Sequence, residues 1–459
     1  MRIVLTAHQF LPEYSTGTEI ITLGVARELI RRGHTVTVFT GFPAKVMLPD
    51  EERFDRYTYE GIPVERFLHA HVPMGGQDNI VQAEYDNQLF YRAFKKFLQQ
   101  YNPDLVHFFH LGRLSASAID ACCELHIPTC FTATDFWLIC PTNQLRLPDN
   151  TLCCGPDRVA SNCVRHMAEI TQPPAIQDKI RRTPAWLFRL AVWSIQKNWV
   201  TKPAGYTNWI KALANRRPHL LDRMNKLDRV LAPSHIMLDM LKRNGMNPDR
   251  LIYLPYGIDL RHLPRITRRG QEPTLRIGFI GTLYEHKGCH VVIQAIRSLP
   301  ADLPIELVVY GKLEEFPAYT EKLRNLAGDD PRIQFKGSFV NGQIGNILST
   351  LDLIVCASIW YENTPLVIYE AMAAGCPVIA SDLGGMSESV NNGVNGLLFP
   401  AGDSAALAER VSRLAKDRAL LQKYAEATTP PSSVPDHVCR LEKIYAELVQ
   451  PAKAVAPAA

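Results

Sequence analysis

No stretch of the chain approaches 18 uninterrupted apolar residues, so a membrane-spanning helix is not expected. The start, MRIVLTAHQF, has no basic region ahead of its apolar segment and runs straight into a strand pattern. That is not the form of a signal peptide, and a cytoplasmic protein is expected. Neither sign of charge is in large excess: 50 Lys and Arg against 46 Asp and Glu leave a formal net charge of +4, too small to argue nucleic-acid binding. Only local pairs, Arg181-Arg182, Arg216-Arg217 and Arg268-Arg269, offer contacts for anionic lipid head groups. There is no internal repeat, no P-loop and no Asp-x-Asp. Eleven cysteines in a chain this long do not make a secreted disulfide scaffold.

What is present is ordinary globular composition, 46% hydrophobic and 21% charged, at a length that buries two cores of about 200 residues each. The stretch 353 to 385, LIVCASIWYENTPLVIYEAMAAGCPVIASDLGG, carries most of the information. Two apolar runs, from Leu353 and from Pro377, read as buried parallel strands, with a helix between them. Thr364 suits its cap, Pro365 its first position and Gly375 the position just past its end. The helix N-terminus at Thr364 to Val367 then offers free amides and a positive dipole end to an anion. Glu362 and Glu370 flank it. Glu370 lies among Leu366, Val367, Ile368 and Met372, where a carboxylate needs a partner: a bound hydroxyl pair such as a ribose, or a capped backbone group or core ion pair.

Glu362-x7-Glu370, followed by Gly375, Pro377, Gly384-Gly385 and Glu388, resembles the signature of the family 4 (group 1) retaining glycosyltransferases. The resemblance runs from the first strand to about residue 415. It implies an α/β protein with two Rossmann-like doubly wound domains facing across a cleft, the GT-B fold. It also implies a sugar transferred from a nucleotide-sugar donor, UDP- or GDP-linked, to a saccharide or lipid-linked acceptor in cell-surface glycan synthesis. In such a protein Glu370 would hold the ribose and Glu362 would contact the sugar. The donor site is expected on Gly281, Thr282, Lys287, Asn363, Thr364, Pro365, Leu366 and Glu370. The missing Asp-x-Asp agrees with a metal-independent reaction in which Lys287 and helix amides meet the diphosphate. Three positions depart from the pattern: Thr16 replaces a glycine before Gly17, Thr134 replaces the histidine before Asp135, and Thr282 replaces an arginine after Gly281. A sugar-nucleotide epimerase and a non-catalytic nucleotide-sugar-binding protein are the rival readings.

Residues 1–262 are expected to form the acceptor domain, 263–274 a linker, 275–416 the donor domain, 417–450 a helix returning to the first domain, and 451–459 a disordered tail. In the first domain Gly17 lies in the loop ahead of a helix, while His110 and Asp135 stand at strand ends, where open parallel sheets bind ligands. His110 is expected in the cleft, with a satisfied core histidine as the alternative. The insertion 136–166 carries Cys140, Cys153, Cys154, Cys163 and His166, either a structural zinc site or buried free thiols. Segment 183–213 interleaves Trp186, Trp193, Trp199 and Trp209 with Arg and Lys, and reads either as a membrane-interface surface or as a helical pair packed on the domain.

Overall fold

Apolar strand runs alternating with helices build two separate parallel sheets in this computed structural model, which describes residues 1–266 and 272–449. Arg268-Arg269, the middle of the expected linker and the tail 451–459 lie outside the described residues. Contacts divide the chain into one unit of Met1–Pro255 with the chain from His437 onward, and a second of Tyr256–Asp436.

The first unit contains β1 (Arg2–Ala7), β2 (Thr35–Pro43), β3 (Phe54–Tyr59), β4 (Ile62–His69), β5 (Leu105–Phe108), β6 (Thr129–Thr132), β7 (Arg229–Ala232) and β8 (Leu251–Tyr253). Their order is β3-β4-β2-β1-β5-β6-β7-β8. All neighbours are parallel except the β3–β4 hairpin. Ile3, Val4 and Leu5 are fully buried, because helices cover both faces of a parallel sheet and each strand must be apolar on both. The strand order reverses between β1 and β5, so the loops leaving them diverge and open a crevice at their carboxyl ends. The region 57–91, rich in His and aromatics, supplies most of the hairpin, the helix Ile80–Tyr85 and the start of Gln88–Tyr101.

The second unit holds β9 (Leu275–Ile280), β10 (Ile305–Tyr310), β11 (Ile333–Gly337), β12 (Leu353–Cys356), β13 (Val378–Ser381) and β14 (Gly396–Phe399). The order β11-β10-β9-β12-β13-β14 is parallel throughout and reverses between β9 and β12.

Two boundaries differ from the sequence expectation. Residues 256–262 pack with the second unit: the Ile258 amide donates to the Ser432 carbonyl at 3.0 Å, and Ile258 joins the core of Ile354, Ile368 and Val378. The helix Arg418–Ala427 also stays there, since Leu421 and Tyr424 bury into the core against the helix Ser404–Lys416. The chain rejoins the first unit only with the helix Val434–Val449. Its Tyr445 hydroxyl bonds His107 Nδ1, and its Glu442 pairs with Arg32 and His34, each at 2.9 Å.

Candidate functional site

In the second unit the loops after β9 and β12 leave the sheet side by side at the point of reversal. Gly288 fixes their approach: it sits at φ +74°, and a Cβ there would come within 1.8 Å of the Ala357 carbonyl. The Ile359 amide donates to the His286 carbonyl at 2.9 Å. These contacts bring Lys287, just before the helix Cys289–Ser298, onto Glu362, with Nζ 2.6 Å from Oε1. The same oxygen accepts from Ser358 Oγ at 2.7 Å and Trp360 Nε1 at 2.8 Å, and the ammonium lies 5.2 Å from the Trp360 ring centroid. Burial would raise the Glu362 carboxyl, but the Lys287 charge and these hydrogen bonds outweigh it and hold it below the usual range. The group is ionised and oriented. Among the described residues all three side-chain donors go to Oε1 and none to Oε2. Ser358 and Trp360 are not apparent from sequence, although Ser358 stands at the strand end where ligand residues gather.

The helix that follows is Leu366–Ala373, with Pro365 in the capping position. Thr364 does not cap it: its hydroxyl donates to the Asn363 carbonyl at 2.8 Å. Pro365 has no N–H and an extended backbone, so the helix starts one residue later than expected, with the amides of Leu366 and Val367 in its first turn. Asn363 is buried and donates to the Tyr256 hydroxyl at 3.1 Å. Gly384 and Gly385 press on this loop, and a Cβ on Gly385 would fall 1.5 Å from the Asn363 carbonyl. Gly375, at φ +71°, ends the helix as expected. Gly281 needs no glycine-specific backbone. Its φ is not positive and a Cβ on it would meet only Phe279, at 4.0 Å; the tight contact belongs to Gly311, whose Cβ would meet the Gly281 carbonyl at 2.4 Å. Thr282 is half-buried in the same loop.

Glu370, half-buried on that helix, is the second carboxylate. Burial pushes it up to about 7, and no side chain or backbone donor meets its carboxylate among the described residues. Neither the capped group nor the core ion pair is formed.

In the first unit the crevice between β1 and β5 gathers His110, Asp135 and two residues that the sequence reading passed over, His8 and Glu19. Gly112 N donates to His110 Nδ1 at 2.8 Å, so Nε2 carries the proton and donates to Asp135 Oδ2 at 2.8 Å. Both ring nitrogens are committed, and His110 has no free lone pair to act as a base. Asp135 Oδ1 accepts from the Trp137 amide at 2.8 Å. The His8 ring lies 4.2 Å from that of His110. Burial foremost, with the nearby His110 ring and the Arg113 charge, pushes it well down, so it is neutral. Glu19 is raised by burial, and its Oε2 accepts from the Thr16 amide at 2.7 Å. His8 Nδ1 and Glu19 Oε1 are buried without a hydrogen bond, and Glu19 Oε1 lies 3.7 Å from His8 Nε2. His8 follows the end of β1, so the strand-end rule that points to His110 points to it too. Gly17 is the exposed first residue of the helix Gly17–Arg31. His107 is a core residue, bonded to Tyr445 and to Thr132 Oγ1. Thr134 bonds the Phe109 carbonyl at 2.8 Å.

The insertion brings Cys140, Cys153, Cys163 and His166 around one small pocket, with Cys154 exposed. No group of three or more His, Cys, Asp or Glu placed to hold a metal ion occurs among the described residues. Burial and neighbouring thiols push Cys153 and Cys163 up, so both stay protonated.

Two known family models match this chain: Glycosyltransferase Family 4 over residues 15–150, and Glycosyl transferases group 1 over 274–417. The chain belongs to the group 1, family 4 glycosyltransferases. Among curated relatives, the phosphatidyl-myo-inositol mannosyltransferase of Mycobacterium leprae is 32% identical over 187 residues, 40% of this chain and 46% of that one. The D-inositol 3-phosphate glycosyltransferase of Corynebacterium urealyticum is 26% identical over 296 residues, 58% of this chain and 68% of that one. The match therefore spans about half the length of the first relative. Among solved structures, HepE of Anabaena in complex with UDP and glucose is 16% identical with a TM-score of 0.62, covering 97% of this chain and 99% of that one. Sucrose-phosphate synthase of Thermosynechococcus elongatus is 17% identical with a TM-score of 0.66, covering 97% and 98%. These likenesses show the GT-B fold of two Rossmann-like domains.

Proposed function

We propose that the chain is a retaining glycosyltransferase. It moves a sugar from a UDP- or GDP-linked donor to a saccharide or lipid-linked acceptor in cell-surface glycan synthesis, working in the cytoplasm. The observation that carries this reading is the unpartnered Glu370 carboxylate, raised to about 7 by burial, on the helix whose N-terminus adjoins the Lys287–Glu362 pair. A ribose supplies the two hydroxyl donors that Glu370 lacks. The diphosphate then meets the amides of Leu366 and Val367 and the ammonium of Lys287, beside Gly281 and Thr282. Glu362 Oε2 accepts from a hydroxyl of the transferring sugar. As the bond from sugar to phosphate breaks, negative charge grows on the departing diphosphate. Stabilising that charge with groups already in place is the largest catalytic contribution available here. The reaction is read as metal-independent, with Lys287 and the helix end in the place of a cation. UDP in the fold relative HepE and phosphatidylinositol in the name of the mannosyltransferase relative favour, respectively, a nucleotide donor and a lipid-linked acceptor.

The test is a panel of UDP-, GDP-, ADP- and TDP-sugars, screened first by thermal shift, where a site held at 100 times its dissociation constant adds about 2.7 kcal/mol. Release of nucleoside diphosphate is then followed with and without candidate acceptors. Acceptor-dependent release with a product of unchanged anomeric configuration is expected. Inversion would remove the retaining assignment, and an epimerised donor without transfer would support the epimerase.

A further inference from the structure

The helix Ala185–Gln196 is apolar on the wrong side. Its inner face packs Val192 and Ile195 onto the first unit, beside the small core of Val164, Leu213 and Ala214. At 100° per residue the opposite face carries Trp186 and Leu190, with Leu187 beside them. A surface helix normally turns charge to that side, yet Trp186 is 69% exposed. The turn that follows adds Trp199, 71% exposed, and Val200, and the next helix, Ala204–Met224, adds Tyr206. Trp193 and Trp209 are half-buried, Trp193 against Trp199 and Trp209 against the small core. The segment is therefore neither wholly packed nor wholly exposed.

Charge identifies what covers this face. Residues 174–211 contain seven Lys or Arg and one acidic residue, Asp178. Arg181 lies 3.9 Å from Asp178 and Arg189 3.6 Å from Asp157. Lys179, Arg182, Lys197 and Lys202 are exposed and carry no ion pair among the described residues. An apolar patch rimmed with indoles and unpaired cations matches the boundary of an anionic bilayer, where rings seat among the head groups and Lys or Arg meet lipid phosphate. No helix among the described residues is long and apolar enough to cross a membrane, so the surface lies on the bilayer rather than through it.

We infer that Trp186, Leu187, Leu190, Trp199, Val200 and Tyr206 form a docking surface for an anionic phospholipid membrane. The surface does not depend on the transfer reaction, and its test does not use activity. The full chain is sedimented with vesicles of phosphatidylcholine alone and with phosphatidylglycerol added. Partition is expected only with the anionic lipid, falling as salt screens the cations. The exposed pair Trp186→Ala/Trp199→Ala is expected to reduce it at least tenfold. Lys197→Glu/Lys202→Glu should reduce it by roughly fivefold or more per site, the weight of one basic residue at such a surface. Thermal melts confirm that the variants are folded. Failure of the wild type to bind anionic vesicles, or binding unchanged in both variants, overturns the proposal. A wild-type dimer in sedimentation velocity that the tryptophan variant converts to monomer, with vesicles ignored, overturns it in favour of a second copy of the chain.

Discussion

A carboxyl group raised to about 7 costs stability wherever it is ionised in the fold. Unfolded, Glu370 loses its proton near its ordinary value; folded, it holds the proton until about 7. The penalty is absent below the lower value, grows between the two and is complete above 7. Glu370→Gln should therefore stabilise the unliganded protein at pH 8 by roughly 1 to 3 kcal/mol, and by nothing at pH 4, in thermal or urea melts. The same group gives ligand affinity a pH dependence. If ribose hydroxyls donate to the ionised carboxylate, nucleotide affinity falls as pH drops from 8 to 6 in the wild type and is flat in Glu370→Gln, which titration at each pH checks. Stability gained and affinity lost at one residue is the mark of a binding group rather than a packing group. For the other carboxylate, Glu362→Gln should impair transfer while leaving nucleoside diphosphate binding largely intact. Lys287→Ala should lower turnover more than sugar affinity, since its charge matters most as the diphosphate departs. Steady-state kinetics separates the two effects, and a raised Michaelis constant with normal turnover would contradict the Lys287 role. Glu362 and Glu370 are legible in sequence because a carboxylate among apolar residues needs a reason. Ser358, Trp360, His8 and Glu19 are not, because their roles depend on which loops a strand-order reversal sets side by side.

At the scale of elements, the site depends on how closely two loops and a helix start approach one another. Gly385 touches the Asn363 carbonyl so closely that no side chain fits, and Gly288 does the same to Ala357. Gly385→Ala must displace the loop 362–364. It is expected to lower stability by about 1 to 3 kcal/mol, an overpacking cost, and to abolish nucleotide binding. A folded Gly385→Ala protein with normal binding would show that the loop is not part of the site. The glycine signature is readable from sequence as spacing, but its reason, a backbone approach from another loop, is visible only in three dimensions. The start of the helix Leu366–Ala373 shows a related limit: Thr364 and Pro365 both suit a first turn, and the Thr364 bond to Asn363 decides between them. In the cysteine insertion the sequence collects four side chains that the structure does place at one pocket, but spacing along the chain cannot say whether sulfurs converge at bonding distance on one point.

Over the whole molecule, both sheets place their polar clusters at the strand-order reversal, β1/β5 in one and β9/β12 in the other. Alternating strands and helices make that architecture legible from the chain alone. The unit boundary is less so, because 256–262 and Arg418–Ala427 join the second core through apolar contacts that resemble any other short apolar run. The helix Val434–Val449 completes the first unit through Tyr445, which is fully buried against His107. Tyr445→Ala removes a large core side chain and leaves His107 without one of its partners. A loss of about 3 to 5 kcal/mol in urea unfolding is expected, with the ion pairs of Glu442 contributing little beside it. The central claim is that Glu370 holds the ribose of a nucleotide donor, and calorimetric titration of UDP, GDP, ADP and TDP into the wild type and Glu370→Ala tests it directly. One diphosphate should bind the wild type and lose about 1.5 to 3 kcal/mol, roughly 10- to 150-fold, in the variant. A folded Glu370→Ala protein that binds the same diphosphate as tightly as the wild type would contradict the account.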